Sequence, residues 1–250
     1  MPSVTGWTIK NDQFAFSSPR HDGGSLTFFG RNEPMDGDDL LRRLVEHPAT
    51  ARRLAWRLCD TFMGEGVCEP AAMEEMATLL SQNDLKIQSA VETILRSELF
   101  FSDRNIGSRI ASPAEHVVGA IRALELNDPP PSTMQLGDWC ARMGQDLFNP
   151  PNVGGWKGGR AWMGTRSVIA RANFANSIAT GDLWRSANPM ESRLSQLADQ
   201  YGIDAGETRL RWLRQLLGGN DDQTGLAQGQ TNNLSRFVGE WLASASAQLA

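Results

Sequence analysis

The sequence predicts a mostly α fold: an irregular multi-helix domain with a small N-terminal irregular or hairpin segment and one Pro/Gly/Trp-rich loop. Three observations carry this expectation. From Asp36 onward, apolar residues recur at the i, i+3, i+4, i+7 spacing of an amphipathic helix. Good helix-start residues stand at the head of several of these runs. Strand-like patterning is confined to residues 1–35, where "GWTI" and "FAF" can pair as a small hairpin between glycine and proline punctuation.

Asp36, Asp38 and Asp39 precede Leu40, Leu41, Leu44 and Val45, so acids occupy a first turn where the helix dipole favours them. Pro48 opens a second helix with the stripe Ala51, Leu54, Ala55, Leu58 and Phe62. Met73, Met76, Ala77 and Leu80 mark a third. Ile87, Val91, Ile94 and Leu95 mark a fourth, capped near Asn83 or Asp84. In "SPAEHVVGAIRAL", Ser112 is an N-cap, Pro113 fits the first turn and Glu115 completes a capping box; Val117, Ala120, Ile121 and Leu124 then face inward. "NDPPPS" breaks the chain before the stripe Leu136, Trp139, Cys140, Met143 and Leu147. Residues 165–180 read as a helix through Val168, Ile169, Ala172, Ala175 and Ala179, and further helices are expected at about 190–200, 207–217 and 233–248. The chain thus divides into a segment 1–35, a helical domain 36–217, a polar linker 218–232 with little to bury, expected to be mobile, and a C-terminal helix in 233–250.

Composition narrows the function. Hydrophobic residues make up 40% and charged residues 21%, ordinary globular usage. A formal net charge of -5 argues against a general binder of nucleic acid or anionic membrane, since neither is attracted to an acidic surface. Three cysteines with no CxxC spacing indicate neither a zinc knuckle nor a disulfide framework. No run approaches the roughly 20 apolar residues of a membrane-spanning helix. The start, "MPSVTGWTIKNDQ", lacks the basic and apolar regions of a signal peptide, so export would need a signal outside this chain.

Three stretches then stand out together: "TGWTI…RHDGGSLTFFGR…DGDDLLRRLVEHPATARRLAWRL", "SPAEHVVGAIRAL" and "MGQDLFNPPNVGGWKGGRAWMGTRSVIARANFA". In order and spacing they resemble the C-terminal portion of domain-of-unknown-function family 1800, a bacterial family, over roughly residues 5–180. The resemblance implies a mostly helical fold, frequent export by the twin-arginine route, and genes lying beside those of sulfatase-like proteins. It implies no reaction. Family members are usually longer, with a helical half before the "TGW" point that this chain is expected to lack. Two positions depart from the family pattern: Leu26 and Ala111 stand where lysines are usual, so an anion-binding role for those lysines does not carry over.

His21 and Asp22 are the candidate catalytic pair. A histidine titrates near neutrality and a carboxylate can orient it. The competing reading is a turn in which Asp22 accepts backbone N–H bonds ahead of Gly23 and Gly24. His47, before Pro48, reads as a cap or surface residue, and His116 as a packed histidine. Three dispersed histidines point to no metal site, and no cofactor is expected. "DGDD" at 36–39 fails the calcium-loop test because its twelfth position is His47, and the loop counted from Asn220 fails at Thr231. Arg53 and Arg57 share one helix face and, with Arg42, Arg43 and Arg52 nearby, form a candidate anion site; pairing with the chain's own acids is the alternative. No GxSxG, Walker loop or GxGxxG is present.

"NPPNVGGWKGGRAW", Asn149 to Trp162, is the most unusual segment. Its prolines restrict the chain, its glycines allow positive φ and close approach, and its two indoles each want a partner. The favoured reading is a rigid plug in which the tryptophans pack over the bundle and the glycines merely permit the turns, with Trp162 the more structural of the two. The other is a ligand platform in which Trp156 stacks a sugar or aromatic ring while Asn152, Lys157 or Arg160 hydrogen-bonds it. Two functions are therefore carried forward. The first is a non-catalytic binding or assembly module of an exported system, acting with a sulfatase-like partner at the envelope or on an extracellular polysaccharide. The second is a hydrolase of a carbohydrate-like or anionic substrate built on His21 and Asp22.

Overall fold

The computed structural model describes residues 2–184, 189–218 and 233–249. Among them are ten α-helices and two small antiparallel hairpins, so the mostly α expectation holds. The linker expected to be mobile falls almost wholly on 219–232, outside the described residues. The chain forms two compact units, one of residues 1–61 and 69–96, the other of 62–68 and 97–250.

The first unit opens with the expected hairpin, β1 (Trp7–Lys10) paired to β2 (Gln13–Phe16). Asn11 and Asp12 turn between them with φ of 53° and 58°, the left-handed pair that a two-residue hairpin loop requires. A second hairpin, β3 (Ser25–Phe28) with β4 (Arg31–Pro34), was not expected. Its turn is Phe29-Gly30, and a phenylalanine at φ 47° is a poor turn signal. The Phe29 ring stacks on His47, 4.4 Å between centroids, and against Phe28 at 4.2 Å; these contacts hold it there.

Helix α1 (Gly37–Glu46) starts as expected, with the Asp36 carboxylate accepting the Asp39 N–H at 2.8 Å. Of its apolar residues only Leu40 is buried; Leu41, Leu44 and Val45 are exposed. His47 does cap the junction, its Nδ1 accepting the Ala49 N–H at 3.1 Å. Helix α2 (Pro48–Phe62) buries Ala51, Ala55 and Cys59, and α3 (Pro70–Gln82) buries Met76, Ala77 and Leu80. Asn83 ends α3 rather than starting the next helix: its backbone N–H reaches the Leu79 and Leu80 carbonyls, and its side chain donates to Leu79 O at 2.8 Å. Helix α4 (Ile87–Arg96) begins four residues later.

The second unit is built around α5 (Pro113–Ala123), α6 (Thr133–Arg142) and α7 (Thr165–Thr180), with α8 (Met190–Gln200), α9 (Glu207–Leu216) and α10 (Leu234–Ala243) completing it. The capping box of α5 is complete: Glu115 N–H donates to Ser112 Oγ, and Ser112 N–H donates to the Glu115 carboxylate at 2.8 Å. Helix α7 is turned from its expected orientation. It buries Ala170, Arg171, Phe174, Ala175 and Ile178, while Val168, Ile169 and Ala172 are exposed. Helix α10 crosses it closely. A Cβ at Gly239 would lie 2.8 Å from Ala179 Cβ, so only glycine permits that approach. The C-terminal helix is shorter than expected: it ends at Ala243, and a 3-10 turn (Ser246–Gln248) follows. Among the described residues no helix is long and apolar enough to cross a membrane.

Candidate functional site

The Pro/Gly/Trp loop lies in the second unit and is tied down at several points. At its start, Asn149 is held twice by Asp146, through a 3.0 Å backbone bond and a 2.9 Å side-chain bond. Asn152 then makes its own turn: its Oδ1 accepts the Gly154 N–H at 2.8 Å and its carbonyl accepts the Gly155 N–H at 3.0 Å. At the far end, Trp162 is buried, and its carbonyl accepts the Ser167 hydroxyl at 2.6 Å in the first turn of α7.

Glu65 provides a tie from far away in the sequence. Its Oε2 accepts the Arg160 backbone N–H at 3.1 Å. The same oxygen lies under Gly159, where φ is 52° and a Cβ would come within 2.7 Å of it. The chain needs glycine there both for the left-handed backbone and for the carboxylate's approach. The Arg160 guanidinium is only loosely paired, 3.8 Å from Glu65 Oε1, and stays 82% exposed.

Between these ties sit Trp156, half-buried, and Lys157, exposed. The four sequence-designated binding residues thus have different situations. Lys157 and Arg160 are exposed, and Trp156 keeps only part of its ring open to solvent. Asn152 has its side-chain oxygen engaged in the turn. Such a surface can stack one ring face on the indole and offer it two cationic donors.

His21 and Asp22 lie in the first unit. His21 Nδ1 is 3.0 Å from the Thr5 carbonyl, which places a proton on that nitrogen. The Asp22 N–H donates to Thr5 Oγ1 at 2.7 Å, and its Oδ1 accepts the Gly24 N–H at 3.0 Å. These are the bonds of the turn that the adjacent glycines suggested. Of the arginines around the candidate anion site, Arg42 pairs with Asp39, Arg43 with Glu33 and Arg52 with Glu74. Arg53 lies over the Trp56 ring, 4.4 Å from its centroid, and Arg57 is exposed. Among the described residues, no group of three or more His, Cys, Asp or Glu is arranged to hold a metal.

Sequence reasoning missed a second polar cluster, buried in the second unit. Arg171 is 1% exposed; its Nη1 donates to Gln248 Oε1 at 2.9 Å and its Nη2 to the Ala111 carbonyl at 2.7 Å. Among the described residues no carboxylate pairs with it, and its Nε is without a partner. His116 is 5% exposed, with its ring 5.8 Å from that of Phe174 and its Nε2 unpartnered. Burial, and then the Arg171 charge, push the imidazole down to about 4, against a hydrogen bond to the Ala247 backbone that pulls it up. The packed reading of His116 was right. The available signal for Arg171 was its place in register with Phe174 and Ile178, overridden by the habit of turning arginine to water.

No curated protein and no solved structure matches the chain. One family model does, described as protein of unknown function (DUF1800), and it covers residues 3–248. The match takes in α8, α9 and α10, well beyond the stretch of the sequence motifs. The chain belongs to the DUF1800 family.

Proposed function

We propose that this chain is a non-catalytic binding or assembly module of an exported bacterial system, with the loop 149–162 as its ligand platform. The observation that carries the reading is the contrast within that loop: Trp162 is buried, whereas Trp156 is only half-buried and Lys157 and Arg160 are exposed, on a frame held by Glu65, Asn152 and Ser167. Pre-ordering the frame lowers the entropy cost of binding. A polysaccharide suits a single displayed indole flanked by cations, and a sulfatase-like protein acting on the same polymer is the proposed partner. The hydrolase alternative has less support, because Asp22 is engaged in its local turn.

The test pairs stability with binding. Trp162→Ala is expected to lose about 3–5 kcal/mol in thermal denaturation. Trp156→Ala is expected to stay within about 1 kcal/mol of the parent while losing retardation in polysaccharide-containing affinity gels. A larger stability loss for Trp156→Ala, or unchanged retardation, overturns the platform.

A further inference from the structure

The C-terminal turn is fastened to the second unit by polar bonds that converge on one buried point. Gln248 is the fastener. Its Oε1 accepts from Arg171, its Nε2 donates to the Leu242 and Ser244 carbonyls at 2.7 and 3.0 Å, and its own carbonyl accepts the Ala111 N–H at 2.9 Å. Ile110 and Leu249 pair as an isolated antiparallel bridge beside it. His116, from α5, adds a hydrogen bond to the Ala247 backbone. Helix α5, helix α7 and the segment before α5 therefore all hold the turn, through His116, Arg171 and Ala111.

The charges around His116 are one-sided. From α7 it faces Arg171, which has no carboxylate partner among the described residues. On its own helix, Glu115 turns to Arg109 and Ser112. The C-terminal residues Ala245 to Leu249 contain no titratable side chain, and Glu240 of α10 pairs with Arg236. Among the described residues no carboxylate offsets a second positive charge here. The Ala247 backbone bond favours it, but burial and Arg171 outweigh that bond, and a buried cation without a partner is costly.

We propose that His116, Arg171 and Gln248 form an acid-released latch: protonation of His116 sets a second cation beside the buried guanidinium, and the C-terminal turn 246–249 lifts away while the helices stay folded. Release relieves the repulsion because it admits water to both side chains. It also frees the Ala111 N–H and breaks the Ile110–Leu249 bridge, opening the backbone edge at 110–111. The low proton affinity of the closed His116 places release on the acid side of neutrality, toward the value of about 4.

The experiment is hydrogen exchange of the full chain at pH 7 and across pH 6 to 3.5, corrected for the intrinsic pH dependence of exchange, with far-UV circular dichroism in parallel. The Ala111, Gln248 and Leu249 amides are expected to lose protection by about tenfold or more before helical signal falls. Titration of the His116 ring by NMR in the unmodified chain is expected to share that midpoint. His116→Gln is expected to keep the turn protected to lower pH. The latch is overturned if the turn stays protected through the His116 titration, if it opens only together with the helices, or if His116→Gln opens at the same pH as the parent. The NMR arm decides the matter even if the variant does not fold.

Discussion

The β1–β2 hairpin and the cluster joining α5, α7 and the C-terminal turn are opposites in what they hide. In the hairpin, the opposed pair Ile9 and Phe14 is 77% and 66% exposed, and the neighbouring pair Trp7 and Phe16 is also on the exposed side of the range. In the cluster, an arginine and a histidine are shut inside. A hairpin has two faces but only two strands, so it can leave one face bare and keep its backbone bonds. A helix at the centre of a unit has no such freedom. Every side chain on the inward face of α7 is buried whatever its chemistry, and Arg171 must find acceptors there. The difference teaches that local pairing governs the first region and tertiary position the second.

The largest test of this contrast is at Arg171. Arg171→Ala is expected to cost about 4 kcal/mol, because the Gln248 and Ala111 oxygens lose their donor and the truncated side chain leaves a void. Urea denaturation monitored by circular dichroism measures it. A loss under about 1 kcal/mol would mean that the guanidinium is hydrated and the cluster is not a true interior.

Acid gives the next effect. The folded pKa of His116 lies below its ordinary value of 6.5, at about 4. The unfolded chain therefore takes up a proton below 6.5 that the folded chain refuses. Stability is intact above that pH, falls as pH drops from 6.5 toward 4, and bottoms out below it, by up to about 3 kcal/mol. Denaturation midpoints at pH 7, 5.5 and 4 are expected to show this fall in the parent, with most of it gone in His116→Gln. An equal fall in both proteins would assign the acid sensitivity to other groups.

These residues also mark where the sequence was legible. Ser112 and Glu115 announced the start of α5 because a capping box is made from residues three apart, and Asp36, Asp38 and Asp39 announced α1 because acids favour the positive end of the helix dipole. The β1–β2 hairpin followed from local alternation. Three features failed for a common cause. The face of α7 was misassigned because Val168 and Ile169 are apolar but exposed, whereas Arg171 is charged but buried. The Phe29-Gly30 turn depends on His47, and the loop frame depends on Glu65, 95 residues from Arg160. In each case the deciding partner is distant in sequence, and periodicity sees only neighbours. In the loop, the turns were legible because glycine permits them: Gly155, Gly158 and Gly159 all take positive φ.

The smallest expected effect lies back in the hairpin. Ile9 and Phe14 face each other across β1 and β2 on a face that is largely open to water. Their contact contributes cross-strand packing, a few tenths of a kcal/mol to about 1, and Phe14 adds an edge contact to the Trp7 ring at 5.4 Å. The bonds that set the register are in the backbone and in the Asn11-Asp12 turn, and serine keeps both. Ile9→Ser and Phe14→Ser are therefore each expected to leave thermal stability within about 1 kcal/mol of the parent. Their effect is expected in association instead, since exposed apolar patches of this kind draw copies together. Binding of a hydrophobic dye and the weight-average mass from light scattering should both fall in the double variant. If stability drops by about 2 kcal/mol or more, the face is covered in solution, and the contrast between an open hairpin and a closed cluster does not hold.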